Sequence, residues 1–361
     1  MPQMDLMNIV VNVILGLSTA ISGAYLAIRA CKMRNVALAF LSLGLLSFLS
    51  TLLTNGLLPT NDYFWRAFAA ANYSVLIVLF TKFAFYKGKK SPFKAIFVAT
   101  LSIRIVHFIE MNVLHYVCPS FVPISADRLG GYYFHLVMLT SQLVIAFGWL
   151  SFAAFKEYVA SKSETVEPWV RHRYVIVGLS NAFYGIMSFA YFLIPTDGLA
   201  FASPNALAAN IVIPPLIVGY GILSFLAWVM PGWFKRLLNE GKPVAKLTES
   251  HEIFSEIAGD IKDRVIPTPE LVKVIDYLGG KLAAMIKRPA GAAKGLFLMA
   301  IDKELGEFGL YTISLNNLLK VTKNSLKEVM KGIGIENAES IVAELADEIV
   351  KNQSMFLMIA A

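Results

Sequence analysis

Seven stretches of about 20 mostly apolar residues, each the length a bilayer-spanning helix needs, succeed one another through the first two thirds of the chain. They cover Leu6–Ile28, Val36–Leu57, Phe64–Phe85, Phe93–Val117, Gly131–Phe155, Tyr174–Ile194 and Asn205–Met230. Turn chemistry separates them: Leu58-Pro-Thr-Asn-Asp62, Lys87-Gly-Lys-Lys-Ser-Pro92, Pro119 with Pro123, and Pro195-Thr-Asp-Gly198. Of 361 residues, 57% are hydrophobic and only 16% charged. A soluble domain of this size needs a larger charged surface, so lipid is the expected solvent for much of the chain. The pattern predicts an all-α protein: a seven-helix transmembrane bundle over 1–238 and a small helical cytosolic domain over 239–361.

Charge placement gives the orientation. Residues 1–231 hold 15 Lys/Arg against 8 Asp/Glu, whereas residues 232–361 hold 17 of each. The net charge of +7 therefore belongs to the hydrophobic part. A nucleic-acid binder concentrates it on a soluble domain instead, so no nucleic-acid partner is expected. Alternate loops carry 12 basic residues, among them Arg29, Lys32, Lys87, Lys90, Arg171 and Arg173, against Arg66 and Arg128 in the opposite loops. Positive loops stay inside, which places the N-terminus outside and the C-terminus in the cytosol of a multi-pass cell-membrane protein. Asp5 before the first apolar stretch, with no basic n-region, argues for a retained helix over a cleaved signal. Cys31 and Cys118 then lie on opposite sides and cannot pair with each other.

Ionisable groups inside a bilayer are costly and are functional candidates by default. Arg104, His107 and Glu110 recur every three residues in the fourth span and share one broad face. Counting along the spans puts Arg104 near the midplane, with His107 and Glu110 in the outer half. His135 in the fifth span falls about two turns from the outer surface, shallower than His107, and Gln142 near the midplane. Asn210 precedes the double proline Pro214-Pro215, a candidate hinge in the seventh span. Asn72 and Asn181 are further polar partners. A ligand or proton site at Arg104, His107, Glu110, His135, Gln142 and Asn210 is one reading. The other is a structural Arg104–Glu110 ion pair with amides bonded between helices. Haem held by His107 and His135 lacks a second histidine pair, and the expected cofactor is none. Metal-spaced clusters, Walker loops and Ser-His-Asp sets are missing, so no enzyme and no metal are expected.

Beyond the spans the pattern is helical over Thr248–Arg264, from Pro269 after a Thr268 cap, over Ala290–Leu305, from Ser314 to Lys331, and from Asn337 along Ile341, Leu345 and Ile349. The closing Met355-Phe-Leu-Met-Ile-Ala-Ala361 is too short to span and reads as a docked segment, a strand or a partner surface. Ser250-His251-Glu252 resembles the start of a phosphoacceptor box, but the proline and nucleotide-binding boxes that accompany it are absent.

Seven spans running directly into a short cytosolic helix resemble the sensory N-terminal region of some bacterial and archaeal histidine kinases and related receptors. Arg171–Arg173 before the sixth span, and Ile211-Val-Ile-Pro-Pro-Leu216 through Phe234-Lys-Arg-Leu237, are similar to it. The likeness covers about residues 6–238. It implies a sensory module passing a small-molecule or proton signal to a non-catalytic cytosolic domain that binds a protein partner or a second copy. A transporter or channel using the same polar residues, and a membrane adaptor, are the alternatives.

Overall fold

The computed structural model describes residues 2–57, 72–87, 89–113, 129–161, 168–193, 204–239, 269–306 and 315–360. Every regular element among them is helical. The first seven helices are α1 (Pro2–Met33), α2 (Val36–Leu57), α3 (Asn72–Phe85), α4 (Phe93–Val113), α5 (Leu129–Ala160), α6 (Pro168–Ala190) and α7 (Pro204–Val229). A short α8 (Gly232–Leu238) follows, and then α9 (Pro269–Ile286), α10 (Ala290–Leu305), α11 (Leu315–Val321), α12 (Lys327–Gly332), α13 (Ala338–Lys351) and α14 (Gln353–Ala360). Four segments are long and apolar enough to cross a membrane: Val10–Met33, Tyr133–Ala160, Pro168–Leu193 and Ile211–Val229. Val36–Ser50 and Asn72–Phe85 are shorter apolar segments.

Local chemistry sets the first turn. Arg34 takes a left-handed conformation (φ 47°), and the Asn35 N–H closes back on the Ala30 carbonyl at 3.0 Å. The Asn35 side chain then caps α2, its Oδ1 accepting from the N–H groups of Ala37 and Leu38 at 3.0 and 3.2 Å. Helices α1 and α2 approach closely at Gly23, whose carbonyl accepts from Ser42 Oγ at 2.9 Å. A Cβ at Gly23 would meet Leu46 at 3.0 Å, so the small residue permits the approach. Helix α1 packs on α2 and α7, α2 on α3, α3 on α4 and α5, α4 on α5, α5 on α6, and α6 on α7. Phe48, Tyr73, Phe147, Tyr184 and Tyr220, from five of these helices, form one aromatic cluster.

Helix α7 runs unbroken through Pro214, which is buried, and Pro215, which is exposed. Neither proline has an N–H, so the carbonyls of Asn210 and Ile211 lose their usual i+4 donors. The helix ends at Met230 (φ 45°) before Pro231.

The C-terminal helices follow the sequence pattern closely. Helix α9 starts at Pro269 and buries Val272, Val274, Ile275, Leu278 and Leu282. Helix α10 has the expected bounds and buries Phe297, Ala300 and Ile301. The stretch expected as one helix to Lys331 is interrupted by a π-helical turn over Thr322–Leu326, where Thr322 Oγ1 donates to the Leu318 carbonyl at 2.8 Å. Helix α13 buries Ala338, Val342, Leu345 and Ile349, whereas Ile341 is half-buried. The closing segment is helical, which removes the strand reading. It is docked: Gln353 to Met358 are all buried, and α14 packs against α3, α6 and α9. The helix expected over Thr248–Arg264, with Ser250, His251 and Glu252, falls outside the described residues, as do Ser314 and Thr268.

Candidate polar site among helices α3, α4 and α5

Helix α4 is inverted relative to a helix in water. Its buried residues are Thr100, Arg104, His107 and Glu110, while Val98, Leu101, Ile105, Val106 and Ile109 are exposed. The exposed stripe is one that lipid accepts and water does not. The polar stripe faces α3 and α5, and there the side chains meet.

His107 Nε2 lies 3.3 Å from His135 Nδ1 on α5. The same His135 nitrogen lies 2.9 Å from Glu110 Oε2, and Glu110 Oε2 is 3.9 Å from His107 Nε2. The two imidazole centroids are 4.8 Å apart. On its other edge, His107 Nδ1 is 2.9 Å from Gln142 Nε2. Gln142 Oε1 in turn accepts from Ser74 Oγ of α3 at 3.4 Å. One connected polar chain therefore crosses three helices. His107, Glu110 and Gln142 are almost fully buried, and His135 keeps 13% of its side chain exposed. Glu110 Oε1 is buried with no hydrogen-bond partner.

The structure thus brings together four of the six residues picked from sequence. Arg104 is also buried, its guanidinium 5.2 Å from the centroid of the Phe108 ring. Of the two partners the sequence offers Glu110, Arg104 and His107, His107 at three residues' spacing lies 3.9 Å from its Oε2, and His135 enters from the neighbouring helix at 2.9 Å. Arg104 stands six residues away, about 9 Å along the helix. Asn210 lies where side chains are outside the described residues, as do Asn112 and His115. Asn181 bonds its own helix, donating to the Val177 carbonyl at 2.7 Å, and takes no part in the site. Although counting along the spans set His135 apart from His107, the two rings are in contact. The sequence spacing suggested no metal-ligand set, yet His107, Glu110 and His135 offer three ligand atoms within 4.8 Å of one another.

Two participants escaped the sequence reading. Ser74 gave no signal, being a lone serine in an apolar run. Arg173 was counted as a loop residue and is instead inside α6 and fully buried. Its Nε donates to the Ala227 carbonyl at 2.6 Å, its Nη2 to the Trp228 carbonyl at 3.2 Å, and its Nη1 to the Met358 carbonyl. The first two carbonyls belong to the last turn of α7, where a cation is favoured. The third belongs to α14. Beside it, Tyr174 OH donates to Ser354 Oγ at 3.1 Å, and Ser354 Oγ donates to Glu157 of α5 at 3.0 Å. Lys89 Nζ completes the latch, donating to the Lys351 carbonyl at 2.6 Å and lying 3.4 Å from Glu157 Oε1. No family model, curated protein or solved structure matches the chain.

Proposed function

We propose that the chain is a multi-pass membrane sensor in which the His107–Glu110–His135–Gln142 cluster receives a proton, ion or small molecule and passes the change to the C-terminal helices. The observation that carries this reading is the shared use of α3 and α5. Both contribute to the cluster, through Ser74 and through His135 and Gln142. Both also meet the C-terminal region, α3 by packing against α14 and α5 through the Glu157–Ser354 bond.

Seven spans with the N-terminus outside fit this reading. The exposed apolar stripes of α1 (Val10, Val13, Leu17, Ile21) and α4 (Val98, Ile105, Ile109) suit lipid. Lys89 meets the end of the helix that precedes α14, Lys82 and Lys156 meet Tyr86, and Lys235 lies over the Trp169 ring, basic residues of the kind the positive-inside rule asks of a cytosolic face. The helices α9–α14 then form a cytosolic output region, non-catalytic and available to a protein partner or a second copy.

A signal moves an equilibrium only when the site differs between the two conformations. Glu110→Gln exchanges the carboxyl for an amide and keeps its shape, so it serves as a perturbation that needs no ligand. In the full chain in lipid nanodiscs, amide exchange over 353–360 should change about 5- to 150-fold, the range of an allosteric coupling of 1–3 kcal/mol. Unchanged exchange in α14, with the variant folded as wild type is, would refute the relay.

A further inference from the structure

We infer that His107 Nε2, His135 Nδ1 and Glu110 Oε2 form a binding site for one first-row divalent cation of the zinc type. The three atoms make a triangle with sides of 3.3, 2.9 and 3.9 Å. The circle through a triangle of those sides has a radius of about 2.0 Å, so one point lies at bonding distance from all three, since zinc–nitrogen and zinc–oxygen bonds run to roughly 2.0–2.2 Å. No side chain has to move far for an ion to be held. Two imidazoles and a carboxylate with a fourth position open is the donor set of catalytic and sensory zinc sites, and it does not supply the six to eight oxygens calcium takes. Arg104, one turn away on α4, adds a positive charge that opposes every cation alike, so binding has to come from direct bonds to the two imidazoles and the carboxylate.

With Gln142 Nε2 donating to His107 Nδ1, a neutral His107 carries its hydrogen on Nε2. His135 Nδ1 then faces that donor and Glu110 Oε2 together, and it cannot accept from the one while donating to the other. All three atoms can instead offer lone pairs to a single centre. Glu110 Oε1, 4% exposed as a residue and without a hydrogen-bond partner, is the second sign that the cluster is incomplete as it stands. The surroundings of a metal site are also in place. Gln142 holds the far nitrogen of His107 at 2.9 Å, and turning its amide lets the oxygen accept from Nδ1–H when Nε2 is metal-bound. Ser74 holds Gln142 in turn.

The proposal names the species taken by the proposed sensor site and rests on that reading only for what binding accomplishes. Its test reads uptake alone. The full chain in detergent micelles, stripped with a chelator, is titrated with zinc against a chromophoric competitor. One equivalent should bind, and Glu110→Gln, His107→Gln and His135→Gln should each weaken binding at least tenfold. Gln142→Leu, which removes no ligand, should weaken it about 10- to 100-fold. Cys31→Ser and His172→Ala, at sites of adventitious zinc, should leave the equivalent in place. Cobalt in place of zinc should give the visible bands of a four-coordinate site, absent in His135→Gln. No zinc uptake by the wild-type chain, or uptake by monodisperse ligand variants equal to wild type, would overturn the site. Zinc uptake with no change of exchange in α14 would keep the metal site and remove the relay.

Discussion

Arg173→Met is the sharpest test of how the C-terminal helix is held. The substitution keeps an unbranched apolar stem and deletes donors to three carbonyls, those of Ala227, Trp228 and Met358. A hydrogen bond from a charged donor contributes about 1.5–3 kcal/mol. Two of the three losses fall on α7 and are partly offset, because a buried guanidinium carries a desolvation cost of several kcal/mol that the methionine avoids. Global stability is therefore a poor readout, since the two effects oppose each other. The loss at Met358 is different. It falls on α14, an eight-residue helix too short to persist alone. Removing about 1.5–3 kcal/mol from that contact should raise local opening, and so amide exchange over 353–360, by roughly 10- to 150-fold. Tyr174→Phe deletes one neutral bond to Ser354 and should raise it about 5-fold, for about 1 kcal/mol. Arg173→Lys should fall between the two, because a single ammonium cannot reach three carbonyls set around a planar fork. The measurement is hydrogen exchange with mass spectrometry on the full chain in nanodiscs, with α9 and α10 as internal references. Equal exchange in α14 for wild type and Arg173→Met, with reference helices unchanged, would refute the latch.

Two further outcomes concern the C-terminal helices. At Gly279 an added Cβ would lie 2.5 Å from Lys294 Cγ and 3.3 Å from its Cα, whereas at Gly280 it would meet nothing within 4 Å. Gly279→Ala should destabilise by about 1–3 kcal/mol through overpacking of α9 on α10, and Gly280→Ala should stabilise by up to about 1 kcal/mol through helix propensity, as thermal melts of the C-terminal region will show. Lys327 and Lys331 hold Glu339 at 2.8 and 3.0 Å and lower its pKa to about 2 from the ordinary 4.5. A carboxyl depressed on folding contributes stability above its unfolded value and loses it as pH falls through the folded one. Acid unfolding between pH 4.5 and 2 should therefore be shallower in Glu339→Gln, with the difference shrinking in salt because the pair is exposed.

Much of the architecture was legible because it is written in local periodicity and punctuation. Val36 after the Arg34-Asn35 turn, Phe93 after Pro92, Pro269 and the bounds Ala290–Leu305 are all set by residues next to the element they begin or end. The polar face of α4 was legible for the same reason: Arg104, His107 and Glu110 share a stripe on any helix that contains them. What the sequence could not provide is pairing between helices. Depth counted from span ends accumulates error at 1.5 Å per residue, enough to separate His135 from His107 on paper when the two rings touch. Arg173 read as a loop charge because a basic residue at the edge of an apolar stretch usually is one. Nothing near it in sequence announces the carbonyls of Ala227, Trp228 and Met358 that give it three acceptors. The metal-ligand set was hidden likewise, two ligands lying on one helix and the third 25 residues on.

Placement of the site and the latch on common helices gives the molecule a mechanical logic. His135 and Glu157 stand 22 residues apart on α5, a continuous helix, and so about 33 Å apart along its axis. A helix of that length transmits tilt or rotation from one end to the other with little loss, because its backbone bonds are all internal. At one end an ion drawing His135 toward His107 and Glu110 would turn the helix by a fraction of an ångström. At the other end Glu157 accepts from Ser354 at 3.0 Å, a bond that weakens steeply with misalignment. Under the proposed relay, small motions at the site would reach α14 through this contact, one of several that hold the helix beside those from Arg173 and Tyr174. On the proposed reading, α14 is therefore the element in which a signal at the His107 cluster is to be sought by amide exchange.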